Sequence, residues 1–419
     1  MACLHKANIL LPAKEIDRKK WAVIACDQFT SQPEYWEQVE DYVGGEPSTL
    51  RIIYPEVYLG NDDEAMYSQR LANIQLNMKR YLTEGILVEE VHEGYVLTVR
   101  ETESGIQIGL LAALDLETYD YGKSSASAVR ATEETVQERI PVRVGIRENA
   151  LVESPHVMML LDDALCRVLE PVYQKRGKLR RLYDTELMFG GGKVCGYAVE
   201  GDEAETLTAK LAELEGENRE IFLAVGDGNH SLAAAKTCWE KLKDDLSEEQ
   251  AGMHPARYAL VEIVNLHSPA LKFEAIHRVI YGGEMNELLA GFQKYLQSFG
   301  ESRMQEWNDE KTADIVFLQG SGRAGIKLAG TKGRLPVELL QCFLDGYVRE
   351  HSELEIDYVH SPETVKELAE DGKACGVLLC TMDKKSLFPA ISAGGVLPRK
   401  TFSLGDECQK RYYMECRRL

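Results

Sequence analysis

No apolar run in the 419 residues is long enough to cross a bilayer. The longest, such as 157–161, falls far short of the ~20 residues that a spanning helix needs. Residues 1–20 carry Lys6, Lys14 and Glu15 and lack the apolar stretch of a secretory signal. Positive charge is scarce: 48 Lys and Arg face 68 Asp and Glu, a formal net charge of −20. Such a field repels polyanions, which argues against general nucleic-acid binding and against attraction to an anionic membrane. No repeat of fixed period and no low-complexity linker is present, so domain borders are poorly marked. Ten cysteines are spread from position 3 to position 416, mostly inside apolar runs. That pattern fits buried thiols of a cytoplasmic protein and not a disulfide framework. Cys375, Cys380, Cys408 and Cys416 are spaced too widely for the close pairs of a zinc set.

What the sequence does contain is an ordinary globular composition, 44% hydrophobic and 28% charged, in a chain long enough for two to three domains at about 150 residues each. The periodicity predicts a strand over 21–26 and helices over 33–43 and 62–83. A hairpin follows, 95–100 with 105–114, around a turn at 101–104. A helix over 203–214 leads to a strand over 221–225, which runs into a glycine turn and a helix over 231–242. A strand over 258–266 follows, then a helix over 284–299, a hairpin from 313–318 and 325–328, helices over 336–349 and 362–370, and a strand over 376–380. This mixed order reads as α/β or α+β, with a boundary near residues 255–270.

The sharpest local signal is Gly226-Asp227-Gly228-Asn229-His230-Ser231 between that strand and that helix. A strand, a two-glycine turn and a helix start gather backbone N–H groups where the helix dipole favours an anion, which makes a phosphate-sized docking point. The bland alternative is a tight turn with Ser231 as helix cap. Asp227 and His230 add an acid and an imidazole able to handle a proton or, through Asp227, a metal. Gly-Asn-His also belongs to the metallophosphoesterase pattern, but residue 231 is Ser where an acid belongs and the chain has no Asp-x-His or Gly-His-x-His partner. Gly320-Ser321-Gly322-Arg323-Ala324-Gly325 matches the dinucleotide fingerprint, yet a returning strand follows it where a helix is required, so it reads as a hairpin turn. Gly190-Gly191-Gly192-Lys193 ends like a phosphate-binding loop, but residue 187 is Leu where the first glycine should be. Ser231 and Cys195 lie near glycines, but no Gly-x-Ser-x-Gly elbow is present to mark a nucleophile.

No lysine occurs from 124 to 174, whereas Arg130, Arg139, Arg143 and Arg147 do, interleaved with Glu133, Glu134, Glu138 and Glu148. Arginine suits bidentate phosphate or carboxylate binding, while the alternative is a solvated Arg/Glu helix. A second basic stretch opens at Pro398-Arg399-Lys400-Thr401-Phe402. In so acidic a chain a phosphate ligand is expected where the arginines at 130–147 and the stretch after Pro398 converge on the Gly226 turn.

Taken together, Trp21-Ala22-Val23-Ile24-Ala25-Cys26-Asp27-Gln28-Phe29-Thr30-Ser31, Pro47-Ser48-Thr49-Leu50-Arg51, Val129-Arg130-Ala131-Thr132-Glu133, the 226–231 turn, His277-Arg278-Val279-Ile280 and 398–402 form a co-linear set. This set resembles the domain-of-unknown-function 1015 family of bacteria and archaea over nearly the whole chain. The resemblance implies a ParB/sulfiredoxin-like mixed core, a superfamily that includes free serine kinases using ATP or ADP. It implies a nucleotide-binding region over 1–260 and a C-terminal α/β region over 261–419. The family turn Ala-Asp-Gly-His-His-Arg maps onto 226–231, with Asp227, Gly228 and His230 kept and Ser231 in the place of the arginine. Arg130, Arg139 or Arg278 is then expected to supply the missing cation.

The expectation is thus a nucleotide-dependent phosphotransferase acting on a small hydroxylated metabolite, with ATP or ADP and Mg²⁺. Asp227, His230 and Glu133 are its candidate acid–base residues. Gly226, Gly228, Asn229, Ser231, Arg130, Arg139, Arg278 and Lys400 are its candidate phosphate contacts. The alternative is a nucleotide-binding regulatory protein that does not turn its ligand over.

Overall fold

The computed structural model describes residues 2–217, 220–298, 303–405 and 410–419. They form two units, one of Met1–Ala131, Thr135–Lys272 and Gly405–Leu419, the other of Thr132–Glu134 and Phe273–Leu404. Both mix helices with sheets, an α+β organisation. The sequence reading divided the chain by position, at 260/261. The structure divides it after Lys272 and returns the last residues to the first unit.

The first unit is built on one eleven-stranded sheet. Its strands in chain order are β1 (Leu87–Thr102), β2 (Gly105–Asp115), β3 (Tyr119–Asp120), β4 (Val129–Ala131), β5 (Met158–Leu161), β6 (Arg180–Glu186), β7 (Lys193–Val199), β8 (Leu223–Asp227) and β9 (Tyr258–Asn265). They lie in the order β6-β7-β1-β2-β9-β5-β8-β4-β3, and Leu4–His5 and Ala7–Pro12 add to β2 and β1. β5 runs parallel to β9, and β4 parallel to both β8 and β3. β9 is buried at every position after Tyr258, so its apolar run is that of a central strand covered on both faces. The helices α1 (Pro33–Val43), α2 (Glu64–Thr83), α3 (Ile140–Arg147), α4 (Gly201–Glu215) and α5 (Asn229–Lys243) accompany the sheet. Leu207 and Leu211 of α4 and Leu232 and Trp239 of α5 pack with Leu97, Leu110 and Ile263 of the central strands.

Only Val23–Ile24 of the expected 21–26 strand pairs as a strand. Asp17 accepts from the Lys19 N–H at 2.9 Å and caps a short helix, Arg18–Trp21, that removes Trp21 from the strand. The Trp21 carbonyl accepts from the Ser48 and Thr49 hydroxyls at 3.2 and 2.7 Å. Trp21, Ser48 and Thr49 therefore form one buried buckle between segments 21–31 and 47–51. Gly192, with φ 78°, closes the β6–β7 connection, where a Cβ would stand 2.1 Å from the Glu101 carbonyl oxygen. The 190–193 motif is a hairpin element.

The second unit carries a six-stranded sheet of β10 (His277–Tyr281), β11 (Arg303–Glu306), β12 (Ile315–Gln319), β13 (Gly322–Ala329), β14 (Glu355–Val359) and β15 (Ala374–Leu379), in the order β11-β13-β12-β15-β10-β14. Its helices are α6 (Met285–Gln297), α7 (Pro336–Glu350) and α8 (Pro362–Ala369), besides a short one at Leu387–Gly394. Residue 299, the expected end of α6, lies outside the described residues. The glycine-rich 320–325 segment joins β12 to β13 as a hairpin, with Gln319 opposite Gly322. Nine of the ten cysteines are free thiols, and Cys408 lies outside the described residues. No helix among the described residues is long and apolar enough to cross a membrane.

The C-terminal tail, 410–419, is tied into the first unit by buried ions. Arg411 lies 3.1 Å from Glu262 Oε1 and also pairs with Glu415, which accepts from the Tyr183 hydroxyl. Thr98 Oγ1 donates to the same Glu262 oxygen at 2.5 Å. Gly109 is required opposite them, since a Cβ there would stand 2.1 Å from Glu262 Oε1. Farther along, Glu153 is held between Arg147 and Arg417, each at 2.6 Å.

Removing one partner of a buried ionic cluster leaves the others uncompensated, at a cost of about 3–5 kcal/mol. Arg411→Met should lower the urea-unfolding free energy of the chain by about that amount; a loss below about 1 kcal/mol would remove Arg411 from this role. Burial alone would push the Glu153 carboxyl up, but Arg147 and Arg417 outweigh it and hold it below the ordinary range. A depressed carboxyl contributes stability above its unfolded value, about 4.3 for Glu, and loses it as pH falls through the folded value. The stability gap between the natural chain and Glu153→Gln should therefore be full above about pH 5 and close on acidification. A gap that does not change with pH contradicts the assignment.

Candidate functional site

The 226–231 turn sits where β8 ends and α5 begins. α5 starts at Asn229, two residues earlier than the periodicity predicts, so Gly228 and not Ser231 is the capping residue. Gly228 adopts φ 79° and ψ 24°, a left-handed conformation that glycine takes without steric cost. A Cβ there would stand 3.0 Å from Val157 Cα and 3.2 Å from His156 Cδ2. The turn is thus pressed against the chain entering β5, and Ser231 becomes the third residue of the helix.

Each polar side chain of the turn is held. Asp227 Oδ1 accepts from the Gly228 N–H at 2.9 Å, and its Oδ2 lies 3.3 Å from the Lys410 ammonium. Asn229 donates to Thr135 Oγ1 at 2.8 Å and accepts from the Tyr119 hydroxyl at 3.2 Å. His230 Nε2 accepts from the Val136 N–H at 3.1 Å. Ser231 Oγ lies 2.9 Å from His156 Nε2, and His156 Nδ1 lies 2.8 Å from the Tyr413 hydroxyl. Tyr413 also accepts from the Cys26 N–H at 3.1 Å. Burial, reinforced by Cys26 and Asp27, keeps the Tyr413 phenol protonated, and burial keeps the Cys26 thiol protonated and unreactive.

Beside this chain of hydrogen bonds is a cavity of about 140 Å³ lined by Ser231, His156, Tyr413, Glu56, Arg143 and Arg147 among apolar walls. Arg143 pairs with Glu56 and Arg147 with Glu153. Burial pushes the Glu56 carboxyl up, with Arg143 opposing. α3 is therefore a partly buried helix with its arginines turned into the unit, not the solvated Arg/Glu helix that its composition allowed.

Arg130 donates to the Ser127 carbonyl at 2.8 Å and pairs with Glu220 at 3.1 Å, opposite Ala224 and not at the turn. Arg139 is exposed ahead of α3. Glu133, Arg278 and Lys400 belong to the second unit. There Arg278 is fully buried, donating to Gln341 Oε1 at 3.0 Å and to the Lys400 carbonyl at 2.9 Å, and burial lowers its pKa to about 10. Glu133 Oε1 accepts from the Thr401 N–H at 3.3 Å. His277 accepts from the Leu379 N–H at 3.1 Å, and burial, with Arg278 beside it, lowers its pKa to about 4. These contacts build the second unit's own interior.

Two residues of the site were not singled out by sequence reasoning. Lys410, its side chain 12% exposed, lies in the basic stretch after Pro398, whose convergence on the turn was expected through Lys400. Arg100 Nη1 holds the Lys410 carbonyl at 2.5 Å. His156 follows a proline and carries no motif. As a donor set, the turn offers one carboxylate shared between an N–H and an ammonium. The N–H and the ammonium are donors that suit a phosphate oxygen, and Asp227 is the one carboxylate of the turn able to reach a metal. Among the described residues no group of three or more His, Cys, Asp or Glu comes together as a metal cluster.

The sequence matches the family described as "Protein of unknown function (DUF1015)" over residues 10–346, and the chain belongs to that family. No curated protein matches it. Among solved structures, it is similar to a free serine kinase in complex with AMP, with 13% identity, 73% of this chain and 90% of that chain covered, and a TM-score of 0.39. A mutant free serine kinase in complex with ADP gives 12% identity, 73% and 91% coverage, and a TM-score of 0.39. A conserved hypothetical protein from Pyrococcus furiosus gives 12%, 73% and 90%, and 0.35.

Gly228→Ala tests the turn itself. A left-handed residue with a Cβ costs about 1–2 kcal/mol, and the contact with Val157 adds to it. Chemical denaturation should show at least that loss; a change under about 0.5 kcal/mol would mean that the turn relaxes freely.

Proposed function

We propose that this family member is a nucleotide-dependent phosphotransferase acting on a small hydroxylated metabolite, with the 226–231 turn holding the phosphates of ATP or ADP. The observation that carries this reading is Lys410, an ammonium held 3.3 Å from Asp227 at the start of α5. A cation at a helix N-terminus opposes the dipole, and it is favourable there only with an anion between. Asp227 supplies that anion in the structure described, and a phosphate group would supply it when bound. Lys410 takes the part assigned to an arginine in the family turn, and Ser231 stands where that arginine was. Mg²⁺, where bound, would screen the phosphate charge and reach the protein through Asp227.

The remaining parts of the reading follow from the same turn. Gly226 and Gly228 let the backbone approach the phosphates, and Asn229 and His230 fix the first turn of α5. A ParB/sulfiredoxin-like relationship of the first unit is supported by the strand, turn and helix around Asp227. A cytoplasmic setting is supported by the free thiols. Arg130 is left out of this reading because it pairs with Glu220 opposite Ala224, and Arg139 because it is exposed ahead of α3.

The test is to incubate the chain with ATP or ADP, Mg²⁺ and pooled hydroxylated metabolites and to follow the phosphorus spectrum, with calorimetry for binding. A new phosphoester resonance is expected. Lys410→Met should weaken nucleotide binding at least about tenfold, or about 1.4 kcal/mol, without unfolding the chain. Asp227→Asn should abolish turnover and, by leaving the Lys410 ammonium at the start of α5 without its anion, should also lower the thermal midpoint. Binding without any transfer would favour a regulatory protein, and absence of nucleotide binding would end both readings.

A further inference from the structure

The residue that replaces the family arginine is not an inert substitute. We infer that Ser231 is a nucleophile toward phosphorus, with His156 as its base. Three distant segments meet to make the pair: the first turn of α5, the chain entering β5, and the C-terminal tail. Ser231 Oγ lies 2.9 Å from His156 Nε2, and the far nitrogen, Nδ1, lies 2.8 Å from the Tyr413 hydroxyl. The reacting tautomer carries its proton on Nδ1 and donates it to the Tyr413 oxygen, which turns the Nε2 lone pair onto the serine hydroxyl. This serine–imidazole pair is the arrangement that activates a serine oxygen, with the phenol orienting the imidazole as a carboxylate would but without its charge.

The surroundings fit a phosphorus electrophile. Ser231 is the third residue of α5, so a phosphoryl group on Oγ would lie at the positive end of the helix dipole, where added negative charge is stabilised. The cavity of about 140 Å³ that Ser231 and His156 line is close to the size that accepts a benzene-sized molecule. The Glu56–Arg143 pair lines the same cavity. Of the other groups on its wall, Ser154 Oγ donates to the Glu415 carbonyl at 2.7 Å, and burial keeps the Cys26 thiol protonated.

With a nucleoside triphosphate as donor, Ser231 Oγ forms the bond to the terminal phosphorus. The bond from that phosphorus to the bridging oxygen breaks, and its electron pair leaves with the nucleoside diphosphate. His156 Nε2 takes the hydroxyl proton. This step rests on the proposed phosphotransferase reading; the nucleophilicity of Ser231 does not, and it is tested without nucleotide.

The full chain is treated with a small alkyl fluorophosphonate, in which the serine oxygen displaces fluoride, and the adduct is located by peptide mass spectrometry. Modification of Ser231 is expected, with none at that position in Ser231→Ala. His156→Gln should slow labelling about a hundredfold per folded molecule, the folded fraction being read by circular dichroism. Tyr413→Phe, which keeps the ring, should slow it as well and guards against a His156 variant that does not fold. An unmodified Ser231 in the folded chain, or labelling of folded His156→Gln at the unaltered rate, overturns the inference. Loss of nucleotide binding with Ser231 still labelled would end the phosphotransferase reading alone, and nucleotide turnover with Ser231 unlabelled would end this inference alone.

Discussion

The buried pairing of Arg411 with Glu262 and Glu415 is the interaction on which the site depends. A guanidinium between two carboxylates inside a sheet is stable only when every partner is present, since each ion alone would carry its full desolvation cost. The cluster therefore has one geometry, and it fixes the tail that carries it. One residue before Arg411 stands Lys410, at Asp227; two residues after it stands Tyr413, at His156. A displacement of the tail would remove the ammonium from the turn and the phenol from the imidazole together. Gly109 shows how tightly this is packed, because no side chain fits opposite Glu262.

An acidic protein that binds a phosphate must make a local exception to its own field. With a net charge of −20, distributed surface lysines would not suffice. The first unit places one largely buried ammonium at the start of α5 and the two arginines of α3 at the neighbouring cavity. Each cation is matched by a carboxylate in the structure described, so none is stranded. The pairs also keep these side chains extended in place, which lowers the entropy lost when an anion arrives.

Much of the fold was legible because the elements are locally consistent. The hairpin of β1 and β2, the run that becomes β9 and the helix over 33–43 follow from periodicity and turn residues alone. The glycines of 320–325 were separable from a nucleotide motif because a strand follows them. The 21–26 strand was misread because the capping of Arg18–Trp21 by Asp17 competes with extension, and a propensity reading does not weigh that competition. The start of α5 was placed two residues late for a related reason: a left-handed glycine caps it, and periodicity sees only the helix body.

The strand, turn and helix around Asp227 were legible in the sequence, and the side chains that contact the turn were not. Asp227, Gly228 and Ser231 lie in one contiguous motif, whereas His156 and Lys410 reach it from about 70 residues before and 180 residues after, through the register of β5 and the docking of the tail. Nothing local marks them. Arg130 and Arg278 were attractive by type, yet a guanidinium is equally suited to tying backbone carbonyls inside a unit, and both do so.

The tail returns to the first unit after the chain has built the second, so Lys410 and Tyr413 reach the turn from beyond the second unit in sequence. The turn and the tail thereby form one thermodynamic unit. A ligand that gains affinity from Lys410 must, by reciprocity, stabilise the docked tail by the same free energy. The ionic cluster at Arg411 and the proposed phosphate site at Asp227 are two ends of one linkage, and what docks the tail also sets the charge beside the turn.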